Sequence, residues 1–151
     1  TMSHICLYFQ GSTEEQPALF CGDTLFNAGV GRCDLGGEPK ILHKTFEDQI
    51  FPLADNVRIF PGHDYIENNL EFTLDREPDN EQALSLREKF KNGLNAESFV
   101  SDIGLEREIN VFFRLNVAQV RAGIAASLNT ELGHLDNEKT FIGLRKLRDN
   151  W

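Results

Sequence analysis

Two stretches decide how this sequence is read: LFCGDTLFNAGVGR at residues 19–32 and VRIFPGHDY at residues 57–65. Each begins with a short run of strand-forming residues, meets a glycine, and then delivers a side chain able to bind a metal. The first delivers Asp23 after Gly22, and the second delivers His63 after Pro61 and Gly62. Strand ends gathered at one edge of a sheet are where α/β proteins assemble their sites. A carboxylate oxygen beside an imidazole nitrogen suits zinc, iron or manganese. Taken singly, each residue also has an ordinary explanation, Asp23 as a turn former and His63 as a loop histidine.

Outward from these stretches, the chain divides near Pro78 into a strand-and-loop part, 1–77, and a helical part, 78–151. Residues 5–9 and 18–21 are short β-forming runs joined by the polar turn 11–17, which predicts an antiparallel hairpin. Residues 22–37 carry five glycines and read as one long loop, of a length that is usually functional. Ile41, Leu42, Phe46 and Ile50 mark a helical face after Pro39. Residues 57–60 predict a buried strand, and 65–76 a helix stopped by Pro78. Asp79 with Gln82 predicts the cap of the next helix, ended by Gly93, and Asn116 with Gln119 repeats that pattern. From Asn137 onward, Phe141, Leu144, Leu147 and Trp151 form an apolar stripe, and Arg145 and Arg148 share a neighbouring face. No internal repeat or low-complexity tract is found.

The 151 residues suffice for a single core without disulfides, since a chain of this size buries roughly 68–70% of its unfolded surface. A net charge of −9 repels polyphosphates and argues against nucleic acid as partner. No apolar run reaches the ~20 residues of a membrane span. Residues 137–151 nevertheless carry a net charge of +2, which points either to a small anionic ligand or to a basic turn complementing the helix dipole. Cys6, Cys21 and Cys33 form no metal-binding spacing and cannot all pair. With no signal peptide in view, a reducing, cytoplasmic setting is expected, with Cys6 and Cys21 inert and Cys33 accessible. His43 and His134 read as surface histidines.

GDTLF followed by AGVGR, then PGHDY with NNLEFTLDREPDN, resembles the second half of glyoxalase II, the hydroxyacylglutathione hydrolases of the metallo-β-lactamase fold. The resemblance covers nearly the whole chain. TMSHICLY resembles the strand after the family's GHT-x-GH motif, INVFFR at 109–114 its NPFxR stretch, and LRKLRDNW at 144–151 its glutathione-binding helix. The implied fold is α/β: the C-terminal half of a metallo-β-lactamase-type αββα sandwich followed by a helical glutathione-binding domain.

By the same resemblance, Asp23 is the carboxylate bridging two divalent metal ions and His63 a terminal ligand of one of them. Zinc is the first expectation for the pair, with iron or manganese as alternatives. Arg32, Tyr65, Arg145 and Arg148 are implied to contact glutathione, the arginines by charge-assisted bonds to its carboxylates. His4 is implied to lie near the site without binding metal. In the intact enzyme, hydroxide between the metals would attack the thioester carbonyl of an S-2-hydroxyacylglutathione, typically S-D-lactoylglutathione.

The family's HxHxDH motif and the histidine of GHT do not occur in this sequence. Two ligands cannot hold a binuclear centre, so partial or no metal occupancy and no activity are expected of the chain alone. Half a sandwich also predicts an apolar sheet face and an open edge, to be covered by a complementary N-terminal half or by self-association. CDLGGEP after Arg32 departs from glyoxalase II, and GxGRxD at residues 29–34 is closer to the iron-dependent persulfide dioxygenases of the same fold. Alternatives to the hydrolase are thus such a dioxygenase, or a non-catalytic module binding glutathione or a partner.

Overall fold

The structure is a computed structural model and describes residues 4–151; the part of the TMSHICLY resemblance on residues 1–3 lies outside the described residues. It is a mixed α/β arrangement of small sheets and helices. Strands β1 (Leu7–Phe9), β2 (Ala18–Gly22) and β5 (Arg58–Pro61) form a three-stranded sheet in the order β1-β2-β5. The predicted hairpin β1–β2 is antiparallel, with Leu7 opposite Phe20 and Phe9 opposite Ala18. The pairing of β2 with β5 is parallel, and it places the C-terminal ends of both strands at the same edge.

One face of this sheet is buried through Leu19, Cys21 and Ile59. They join a core that reaches Phe46, Phe112, Phe141 and Leu144. The opposite face is apolar and open. Leu7 is 65% exposed and Phe20 51%, and Phe20 stacks on Phe60 at 5.1 Å. The outer side of β5 is covered by the segment around Asp102, where Ile59 N–H donates to the Ser101 carbonyl and Ile103 N–H to that of Val57. Among the described residues, β1 is the opposite edge strand of the sheet.

The glycine-rich stretch after β2 is more ordered than a loop. It contains a two-stranded hairpin, β3 (Leu25–Phe26) and β4 (Gly29–Val30), whose residues are buried. Leu25 and Val30 belong to the main core, and polar groups from distant helices hold the turn, so pairing is fixed by tertiary contacts rather than by local strand length. Cys33 is consequently buried as well, and burial raises its thiol pKa, contrary to the expected accessibility. Cys21 is fully buried, which pushes its thiol up to about 12.

The helix predicted over 41–51 is α1 (Pro39–Thr45) continued by one wide turn, Phe46–Ile50, in which Phe51 N–H donates to the Phe46 carbonyl. Its buried positions are His43, Phe46 and Ile50, at i, i+3 and i+7. His43 is therefore not a surface histidine. It is 3% exposed and packs edge-on against Phe141, with ring centroids 5.3 Å apart. Ile41, one step off that face, is exposed.

Helices α2 (Ile66–Arg76), α3 (Glu81–Lys91) and α4 (Ile103–Ile109) pack around Leu70, Leu74, Ala83, Leu86 and Ile109. The α3 cap is Asn80, not Asp79: its Oδ1 accepts the Ala83 N–H at 3.0 Å, while its amide donates to the Glu108 carbonyl. Helix α5 (Ala118–Leu128) starts at Val117 without a side-chain cap. Asn116 instead accepts from Arg121, so the expected second capping box does not form. Helix α6 (Asn137–Asp149) is capped by Asp136 and buries Phe141 and Leu144. Arg114, the last residue of INVFFR, donates through Nε and Nη2 to the buried Glu77 and so ties the end of α2 to the later helices. Among the described residues, no helix is long and apolar enough to cross a membrane.

Candidate functional site

The parallel pairing of β2 and β5 is what brings Asp23 and His63 together. Gly62 N–H donates to the Gly22 carbonyl at 2.9 Å, locking the two strand ends side by side. The register slips between Phe20 and Gly22, and a bulge of this kind re-aims the residue that follows it. Gly22 adopts φ +49°, and a Cβ there would lie 2.1 Å from His4 Nε2. At Gly62 a Cβ would come within 2.9 Å of Asp23 Oδ1. The two glycines clear the space into which the Asp23 carboxylate and the His4 ring fit.

His63 Nε2 stands 3.6 Å from Asp23 Oδ1, and both side chains are about half exposed. His4 lies on the other side of Asp23, where its Nε2 accepts the Asp23 N–H at 2.8 Å. That bond occupies the ring nitrogen facing the site. Asp23 and His63 are suitable metal donors by type, but among the described residues no group of three or more histidine, cysteine, aspartate or glutamate side chains could hold a metal ion. A divalent ion needs about four donors or more. The residues present therefore do not make a metal site by themselves.

All six predicted site residues, Asp23, Arg32, His63, Tyr65, Arg145 and Arg148, line one cavity of about 470 Å³. The hairpin β3–β4 forms one wall through Phe26 and Val30, and the end of α6 forms another. Tyr65, at the N-terminus of α2, meets Phe26 edge-on at 5.1 Å and lies 5.7 Å from the His63 ring.

The two α6 arginines differ in what they are free to do. Arg145 is 2% exposed. Its Nη1 donates to the carbonyls of Val30 and Gly31, and its Nε and Nη2 meet Asp149. Burial lowers its pKa from the usual guanidinium value, an effect that Asp149 opposes. Arg148 lies against the Phe72–Trp151 pair, its guanidinium carbon 5.6 and 5.1 Å from their ring centres, while the two rings meet edge-on at 5.6 Å. Arg148 donates to Asn69 Oδ1 at 3.3 Å. Arg32, at the mouth, is paired with Asp34 through two of its nitrogens, and this hydrogen-bonded carboxylate raises its pKa. A cavity of this size, with cationic and aromatic walls beside a carboxylate and an imidazole, suits an extended anionic molecule.

The family model described as hydroxyacylglutathione hydrolase C-terminus matches residues 64–151. The chain belongs to that family. A hydroxyacylglutathione hydrolase of Nitrosococcus oceani is 50% identical over 152 positions, covering 100% of this chain and 56% of its own length. One from a Polaromonas species is 46% identical with the same coverages, and one from Shewanella loihica is 35% identical over 88% of this chain and 50% of its own length. The chain thus spans about half the length of the curated hydroxyacylglutathione hydrolases it matches.

Sequence reading did not find Phe26, Asn69 or Trp151 as cavity residues, nor the buried Glu106 and Asn110 behind the hairpin. Phe26 and Trp151 look like core residues in sequence. Glu106 and Asn110 carried a signal of their own: two polar residues four apart, so on one face of a short helix whose neighbours Ile103 and Ile109 are apolar.

Proposed function

We propose that this chain is the C-terminal part of a hydrolase of S-2-hydroxyacylglutathione thioesters, with S-D-lactoylglutathione as the typical substrate. The observation that carries this reading is the convergence of Asp23, His63, Arg32, Tyr65, Arg145 and Arg148 on one cavity. In this reading Arg148, Arg32 and Tyr65 hold the glutathione portion. Arg145, spent on Val30, Gly31 and Asp149, shapes the wall and adds positive charge. Asp23 and His63 are the chain's contribution to a centre of two divalent ions, zinc first and iron or manganese as alternatives. Its remaining donors would come from outside these residues, and the chain alone is inactive. Asp23 also lines a second cavity of about 410 Å³, beside His4 and β1, which leaves room for such donors.

The open sheet face supports the same view. Residues 1–77 are read as part of a metallo-β-lactamase-type α/β sandwich and 78–151 as its helical glutathione-binding addition. The exposed Leu7, Phe9 and Phe20 face would be covered by a complementary N-terminal half, or by a second copy in its absence. Each such side chain fully buried contributes about 1.5–3 kcal/mol. The enzyme is expected to work in the cytoplasm, without nucleic acid or membrane partners.

Calorimetric titration of the chain with glutathione at pH 7 tests the assignment. One site per chain is expected, with affinity reduced at least tenfold in Arg148→Ala. Absence of binding by the folded chain, or an unchanged affinity in Arg148→Ala, would overturn it.

A further inference from the structure

We propose that Glu106 is a positioning residue: from inside α4 it holds the turn between β3 and β4, and through that hairpin it sets where Phe26 and Arg145 stand on the cavity wall.

The turn, Asn27–Gly29, is gripped by three buried polar side chains from elements far away in sequence. Glu106 Oε2 accepts the Ala28 N–H at 2.9 Å. Asn110 Nδ2 donates both to the Gly29 carbonyl, at 3.2 Å, and to Glu106 Oε2, at 2.8 Å. Asn69 Nδ2 donates to the Asn27 carbonyl at 2.9 Å. Ala28 needs this grip, because its φ of +56° is a left-handed conformation that costs an L-residue roughly 1–2 kcal/mol. Asn27 and Ala28 are both buried, so water cannot replace the lost partners.

The hairpin passes that constraint to the cavity. Its first strand carries Phe26, which stands against Tyr65 and 6.5 Å from the His63 ring. Its second strand ends at Val30, and the Val30 and Gly31 carbonyls accept from Arg145. A shift of the turn therefore moves an aromatic wall and a guanidinium together, although Glu106 touches neither.

The carboxyl is completely buried, and its two oxygens are bonded differently. Oε2 already accepts two N–H groups, and Oε1 lies 2.7 Å from Ser101 Oγ, which is itself 3.3 Å from the Asp102 carbonyl. The Ser101 O–H donates to Oε1 of the ionised carboxyl; with a proton on Oε1 the hydroxyl turns, accepting from Glu106 and donating to the Asp102 carbonyl. The titratable groups coupled to it are the Asp102 carboxylate, which raises its pKa, and the buried Cys21 thiol. Complete burial raises its pKa to about 7, against the hydrogen bonds that lower it. A glutamine at this position reproduces the same donor and acceptor pattern, with an N–H toward Ser101.

The test compares the chain with Glu106→Gln and Glu106→Ala by amide NMR and by calorimetric titration with glutathione, the ligand resting on the function proposed above. In the unmodified chain the Ala28 amide resonance should titrate with a midpoint near 7. In Glu106→Gln it should be flat with pH, with glutathione affinity within twofold. In Glu106→Ala the Ala28 amide should exchange at least tenfold faster and glutathione should bind at least tenfold more weakly. An Ala28 amide that titrates equally in Glu106→Gln overturns the proposal even if Glu106→Ala fails to fold. A folded Glu106→Ala with native Ala28 protection and affinity overturns it too. If the unmodified chain binds no glutathione, the functional reading falls, while the Ala28 amide still decides the role of Glu106.

Discussion

Arg145 Nη1 donates to the Val30 carbonyl at 2.9 Å, joining the end of α6 to the hairpin that follows Asp23. The bond is buried, and the guanidinium carbon also lies 5.7 Å from the ring centre of Phe112. Arg145 is thus a structural member of the cavity wall as well as a source of positive charge.

The Arg145→Ala substitution is therefore expected to cost stability before it costs affinity. It leaves the Val30 and Gly31 carbonyls without their donor and strands Asp149, and breaking a buried pair of this kind costs about 3–5 kcal/mol. Arg145→Lys keeps the charge but loses the fork that reaches both carbonyls and Asp149 together, with a smaller expected loss than Arg145→Ala. Urea unfolding of the three proteins measures the order. Equal midpoints for Arg145→Ala and the unmodified chain would mean that these contacts do not hold the wall.

Glu106 makes stability depend on pH in the direction opposite to that of an ordinary paired carboxylate. Its pKa is about 7 when folded and near 4.5 when unfolded, so between these values the folded protein binds the extra proton. Its contribution is complete below about pH 4.5 and is lost as the pH rises through 7, on the order of 3 kcal/mol in all. The difference between the chain and Glu106→Gln in urea at pH 5 and pH 8 isolates this group from the other carboxylates. Glu106→Gln should gain relative to the unmodified chain at the higher pH. A constant difference would show that the carboxyl is ionised across the whole range.

The parts of the fold that follow local rules were legible in the sequence. The hairpin β1–β2, the strand before Pro61, and helices α2 and α6 are set by β-forming runs, by proline stops and by apolar periodicity. The delivery of Asp23 and His63 at neighbouring strand ends was legible for the same reason, because glycine and proline mark where each strand stops. What escaped is set by contacts across long sequence separations. The β3–β4 hairpin is two pairs long and would not stand alone; Glu106, Asn110 and Asn69 hold its turn from 42 to 81 positions away. The choice of Asn80 over Asp79 as the α3 cap follows from its second bond, to the Glu108 carbonyl, which no local pattern encodes.

His43 shows the same effect from the stability side. It occupies the core face of α1, with Nδ1 buried and no hydrogen-bond partner among the described residues. An unsatisfied buried polar atom costs roughly 1–3 kcal/mol. His43→Leu removes that atom while keeping apolar contact with Phe141, and gives up the edge-on ring contact, worth about 0.5–1.5 kcal/mol. The balance favours leucine by about 1 kcal/mol, which in a chain of this length raises Tm by roughly 2–4 °C. Thermal unfolding of His43→Leu at pH 7 measures it. A fall in Tm instead would show that the imidazole has a partner in solution, such as a buried water, and that the α1–α6 contact is built around a polar group.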